Sequence, residues 1–134
     1  MIHKACPVAL HPDGAPLRIA AFRHPQAGLQ LPKGTVKQDE HPTRAAAREL
    51  FEETGLETVS AIPLGQSDAI VKGERWHFAL CRIKPPVRDR WRHHCPDDGG
   101  HLFECFWQPL DHNADLSAPY SAALNWITAE ILTP

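Results

Sequence analysis

One run constrains this chain more than any other: Gly34-Thr-Val-Lys-Gln-Asp-Glu40, then seven residues, then Arg48-Glu-Leu-Phe-Glu-Glu-Thr-Gly-Leu56. Pro42 suits the first turn of a helix, where its missing N–H has no partner to lose. Thr43 to Glu53 holds good helix formers, three consecutive alanines among them, and no internal Gly or Pro. Gly55 stands where a left-handed residue closes a helix. Leu56, just beyond it, is placed to fold back on Leu50 or Phe51 in a Schellman-type stop. The pattern predicts a helix with both ends marked.

At about 100° per residue, Ala46, Ala47, Leu50, Phe51 and Thr54 share one side of that helix. Glu49, Glu52 and Glu53 share another, because positions three and four apart are neighbours. Three like charges there repel, and a solvated acidic face would be the bland account. That account leaves Glu40 beside the helix start, Arg48 among the glutamates and a glycine loop leading in without a reason. Clustered carboxylates are what hard divalent cations such as Mg²⁺ require, together with phosphate oxygens and water. The residues favour a metal site.

The spacing from Gly34 through Glu40 to Arg-Glu-Leu-x-Glu-Glu-x-Gly-Leu resembles the Nudix box at every defined position, over Gly34 to Leu56. The resemblance implies an α/β/α sandwich with a mixed β-sheet between helices, and Mg²⁺-dependent hydrolysis of a nucleotide phosphoanhydride, with Mn²⁺ able to substitute. It implies Glu49, Glu52 and Glu53 as metal ligands, with Glu49 and Glu53 the leading pair. Glu52 or Glu49 is then the proton acceptor for the attacking water. Arg48 orients the glutamates in place of making only a surface ion pair with Glu52. Gly34 and Gly55 are structural. Glu40 anchors the loop or holds metal through water.

Lys33, immediately before Gly34, is set to contact a phosphate as a point charge, and Lys37 and Arg23 are candidates for the same work. The Pro-Lys-Gly form resembles Nudix members acting on dinucleoside polyphosphates, diphosphoinositol polyphosphates or RNA 5′ ends. The expected substrate is therefore a small nucleotide pyrophosphate, a dinucleoside polyphosphate or nucleoside triphosphate before an ADP-ribose-type diphosphate. A Nudix-fold nucleotide-binding or sensor domain without turnover is the alternative of a different class; such domains usually lose a box glutamate, and here all are kept.

The 134 residues suffice for one domain, 1–134, with a real core. With 14 Lys and Arg against 16 Asp and Glu, the net charge of −2 creates no global field toward nucleic acid or an anionic membrane. No apolar run reaches the length of a membrane span, and Met1-Ile-His-Lys-Ala lacks a signal-peptide core, so a cytoplasmic protein is expected. Cys6, Cys81, Cys95 and Cys105 form no Cys-x-x-Cys pair and read as reduced, largely buried thiols. Nothing in the pattern specifies an oligomeric state.

Along the chain, Lys4–Leu10 reads as a strand with Pro7 marking an edge or bulge, and Leu17–Phe22 as a second. Leu29–Leu31 is a short extended segment leading to Pro32-Lys-Gly34. After the helix, Thr58–Leu64 and Ser67–Val71 read as strand pieces. Arg75–Ile83 alternates Trp76, Phe78 and Leu80 against His77, Ala79 and Cys81. Residues Lys84–Gly100 read as a long polar loop, whose Arg88, Arg90, Trp91 and Arg92 offer cations and a stacking surface. His101–Gln108 is a strand. A helix then runs from Ser117-Ala-Pro119 to Leu132, its stripe formed by Ala122, Ala123, Trp126, Ile127, Glu130 and Ile131. Glu104 is a candidate metal ligand from outside the box, with Asp97 and Asp98 competing for that role. His93, His94, Cys95 and His101 invite zinc, but their spacing matches no compact zinc module, and a polar loop is the reading kept.

Overall fold

The computed structural model describes residues 1–112 and 115–133, the side chain of Asp98 excepted. In chain order its elements are β1 (Ile2–Ala9), β2 (Arg18–His24), β3 (Gly28–Gln30), β4 (Gly34–Thr35), α1 (Pro42–Thr54), β5 (Thr58–Ser67), β6 (Glu74–Ile83), β7 (Trp91–Cys95), β8 (His101–Pro109) and α2 (Tyr120–Leu132). The marked helix is α1. His41 caps it, a ring nitrogen accepting from the Thr43 N–H, and Pro42 lies in the first turn.

Gly55 closes α1 at φ 78°, its N–H donating to the Phe51 carbonyl at 2.9 Å. The stop differs from the Schellman form the sequence suggests. The Leu56 N–H donates instead to Thr54 Oγ1 at 3.2 Å, and that hydroxyl donates to the Leu50 carbonyl at 2.6 Å. A side chain thus takes the Leu56 N–H that a Schellman stop would pair with the Phe51 carbonyl. The buried stripe is also rotated from the expected one: Ala45, Ala46, Glu49, Leu50 and Thr54 are buried, while Phe51 is 52% exposed.

The expected single mixed sheet is two four-stranded sheets. One, in the order β4-β1-β6-β5, is mixed through the parallel pairing of β1 and β6; the other, β3-β2-β8-β7, is antiparallel throughout. Period-two alternation sends each strand's side chains to opposite faces. Ala5, Ala9, Ala79, Cys81 and Ala20 pack with Ala45, Ala46 and Leu50 of α1. Cys6, Val8, Trp76, Phe78, Ile19 and Ala21 pack with Ala123, Leu124 and Ile127 of α2. These are the layers of an α/β/α sandwich. On α2, Leu124 belongs to the buried stripe, whereas Ala122 and Glu130 are exposed.

Pro7 sits within β1, which is flanked on both sides, yet its position is a local edge. The Val36 N–H donates to the His3 carbonyl, so odd residues of β1 turn their peptide groups toward β4, and β4 pairs only as far as Ala5. Two sequence readings are corrected here. Residues 68–71 are bends and not a strand. Residues 84–100 are not one loop, since they contain β7 and a single 3₁₀ turn, Asp97–Gly99. Strand β7 carries little sequence signal because it is a short edge strand whose Arg92 and His94 face solvent. Among the described residues no helix is long and apolar enough to cross a membrane. All four cysteines are free and buried.

Candidate active site

Where the end of the antiparallel sheet meets α1 and β4, a cavity of about 610 Å³ opens, lined by Lys33, Gly34, Lys37, Arg48, Glu49, Glu52 and Glu53. His24 of β2, His101 and Phe103 of β8, Asp97 of the 3₁₀ turn and Tyr120 of α2 also line it. The helix period puts the three glutamates on one face, and the packing of Ala45, Ala46 and Leu50 against the sheet aims that face into the cavity.

Arg48 organises the loop and the helix at once. Its Nε and Nη2 donate to the two Glu40 oxygens at 2.8 and 2.9 Å, the planar fork that guanidinium and carboxylate favour. Nη2 also donates to the Thr35 carbonyl at 3.1 Å, and Glu40 Oε1 accepts the Lys37 N–H at 2.9 Å. Hydrogen bonds from Arg48 hold the Glu40 carboxyl down at about 2. Glu40 is therefore a loop anchor. Nη1 of Arg48 donates to Glu49 Oε1 at 2.6 Å and stands 3.4 Å from the Glu52 oxygens. Arg48, expected to orient Glu49, Glu52 and Glu53, gives its bidentate fork to Glu40, and Glu49 takes a single bond.

Gly34 serves space more than turning: a Cβ there would overlap the Glu49 carboxylate. Burial pushes the Glu49 carboxyl above its ordinary range despite Arg48. Glu53 is pushed further, to about 8, by burial first and by the Glu49 charge; the Lys33 N–H, donating to Oε1 at 2.8 Å, acts the other way. The Lys33 ammonium lies 5.7 Å from the Trp76 ring centre and 6.0 Å from that of Tyr120. Two aromatic faces thereby hold this cation beside the carboxylates. Glu52 is the most open of the three, its side chain 34% exposed.

Two expected site residues lie elsewhere. Arg23 and Glu104 are cross-strand partners on the other face of the antiparallel sheet, where Arg92 approaches Glu104 at 3.9 Å. Neither lines the carboxylate cavity, so Glu104 is not placed as a ligand nor Arg23 as a contact there. One residue of β8 separates the faces: Phe103 lines the cavity and Glu104 does not. Asp97 is the acidic group that comes in from outside the run; the side chain of Asp98 lies outside the described residues. The zinc candidates are divided. The His93 ring donates Nε2–H to the Glu52 carbonyl at 3.0 Å, capping α1, while His94 sits on the opposite face of β7. Of the zinc candidates, Cys95 and His101 reach this cavity, while His24 and Tyr120 carry no local sequence signal, because only strand pairing and the return of α2 bring them here.

The family profile described as NUDIX domain matches residues 8–127. The chain belongs to the Nudix family. This Nudix chain is 31% identical over 108 residues to the RNA pyrophosphohydrolase of Brucella ovis, and equally to that of Brucella suis; the match covers 68% of this chain. It spans about 60% of the length of those curated relatives. Among solved structures, a Nudix hydrolase family member from Chromobacterium violaceum superposes with a TM-score of 0.67 at 21% identity, covering 95% of this chain and 76% of that one. An ADP-ribose pyrophosphatase from Streptococcus suis gives 0.69 at 15% identity over 98% and 92%. These two likenesses show the fold.

Nudix enzymes generally use a divalent metal, and the donor set here fits one. Glu49, Glu52, Glu53 and Asp97 offer hard oxygen ligands around one cavity. Burial first, and neighbouring carboxylates after it, raise the Glu49 and Glu53 carboxyls, and a divalent cation bound there would favour their ionised forms. Among the described residues no three such side chains converge on a single point. Glu49 is turned to Arg48 and Glu53 to the Lys33 N–H.

Proposed function

We propose that this Nudix chain is a Mg²⁺-dependent hydrolase of a phosphoanhydride bond in a nucleoside diphosphate linked to another moiety. The preferred substrate is a dinucleoside polyphosphate or nucleoside triphosphate, and Mn²⁺ is an acceptable substitute for Mg²⁺. The observation that carries this reading is one cavity holding Glu49, Glu52, Glu53 and Asp97 opposite Lys33 and Lys37. Metal bound by the glutamates would neutralise phosphate charge and lower the pKa of an attacking water.

The chain's own groups divide the remaining work. Glu52, less committed to Arg48 than Glu49, takes the proton of the attacking water. Arg48 keeps Glu49 in place and ties the loop to α1 through Glu40. Lys33 sets a point charge against the phosphate chain, and Lys37 lines the loop side. The named activity of the Brucella relatives, pyrophosphate hydrolysis on RNA, supports a substrate with a phosphate chain over a sugar-linked diphosphate. The four free, buried thiols accord with a cytoplasmic setting.

A panel of nucleotide pyrophosphates assayed with Mg²⁺, products identified by mass, tests the reading. Turnover abolished by chelator and restored by Mg²⁺ is expected. Nucleotide binding without turnover across the panel would instead establish the sensor alternative.

A further inference from the structure

We propose that the chain carries a second nucleotide site, on the face of the antiparallel sheet turned away from the glutamates. Strand alternation builds it. Arg23 of β2 pairs with Glu104 of β8, and Glu104 with Arg92 of β7, so all three project from the same face. Their neighbours His24 and Phe103 project from the other, into the hydrolytic cavity. The result is a separate cavity of about 470 Å³, lined by Arg23, Arg90, Arg92, Glu104, Leu29 and Phe106 among others. That volume lies within the usual range for small-ligand sites.

Charge and shape together name the ligand class. Three guanidinium groups meet one carboxylate. The Arg92–Glu104 contact is 3.9 Å between side chains 71% and 57% exposed, a loose and screened pair. Among the described residues neither Arg23 nor Arg90 has a carboxylate within ion-pair distance. Guanidinium forks match phosphate oxygens, and the half-buried Leu29 and Phe106 give a planar base an apolar floor. The segment bearing Arg90 is held on both sides. Trp107 Nε1 donates to the Arg88 carbonyl at 2.8 Å, and Trp91 Nε1 to the Thr54 carbonyl at 2.7 Å. These bonds fix the backbone on either side of Arg90. The ligand is a phosphate-bearing nucleotide, bound by arginine without metal.

Isothermal titration of the full chain with AMP and ATP in EDTA separates this site from the hydrolytic one, which on the proposed reading holds phosphate through metal. One equivalent is expected to bind in chelator, at least tenfold more weakly to the Arg90→Ala/Arg92→Ala variant, whose Mg²⁺-dependent turnover stays at the wild-type level. Both arginines are exposed, so the core is untouched. Arg92→Lys serves as a second variant, keeping the charge but losing the fork, and should weaken binding as well. Four results would overturn the proposal: no saturable binding in EDTA, unchanged affinity in the double variant, a parallel loss of turnover, or displacement by inorganic phosphate at equal concentration. The last would reduce the cleft to a bare anion patch. Absence of Mg²⁺-dependent turnover in the wild type would count against the hydrolase reading alone.

Discussion

The Glu49 carboxylate occupies the space that a side chain on residue 34 would need. Gly34 belongs to β4 and Glu49 to the middle of α1, so the first residue of the run is a clearance for a carboxylate of its helix. Gly34→Ala would meet only the far end of a flexible glutamate, which can swing away. We expect the fold to survive and turnover to fall about 100-fold, the scale on which a misplacement of about 1 Å acts. Circular dichroism and kcat measured together check this; retained turnover would show that the clearance is incidental.

Arg48→Lys keeps the charge and removes the fork that spans both Glu40 oxygens. Lysine cannot bond Glu40, Glu49 and the Thr35 carbonyl at once. The expected loss is about 1–3 kcal/mol of stability, from charge-assisted bonds between groups largely shielded from water. kcat should fall by more than the fraction unfolded explains. Denaturant melts and steady-state rates on the same preparation decide it, and wild-type values for both would reduce Arg48 to an ordinary surface cation.

Glu53 gives a pH dependence with a definite sign. Its folded value near 8 lies above the ordinary 4.5. Its contribution to stability is therefore fully present below about 4.5 and is lost as pH rises through 8. Glu49 is shifted in the same direction, Glu40 in the other, below the range concerned. Metal-free protein should melt lower at pH 9 than at pH 5, and Glu53→Gln, which keeps an acceptor for the Lys33 N–H, should flatten that slope. With Mg²⁺ present the same variant should lose turnover. An unchanged slope, or full activity, would contradict the placement of Glu53.

Lys33→Ala leaves the backbone N–H to Glu53 intact and deletes only the ammonium resting over Trp76 and Tyr120. The variant should lose about tenfold in kcat/KM on a dinucleoside polyphosphate or nucleoside triphosphate, the size of a charge-assisted contact of about 1.5 kcal/mol. The loss on ADP-ribose should be smaller. Equal losses on both, or ADP-ribose as the better wild-type substrate, would remove the charge argument and leave the hydrolase reading standing.

Helix α1 was legible because its signals are local: Pro42 in the first turn, the glutamates at three- and four-residue spacing, Gly55 at the end. Each depends on neighbours within one turn of chain. Strand β7 was hidden for the opposite reason. Trp91, His93 and Cys95 alternate with Arg92 and His94, but its polarity reads as a loop until β8 pairs with it.

By itself, then, the sequence determined the family, the helix with its capped ends, and the carboxylate set Glu49, Glu52 and Glu53, all properties of contiguous residues. Only the tertiary structure decided which distant groups join them. Pairing of β2 with β8 sent Arg23 and Glu104 to the far face, while Asp97, His101 and Tyr120 came to the cavity wall. The physical reason is the two-residue period of a strand: a shift of one position moves a side chain across the sheet, and register is set by partners far away in sequence.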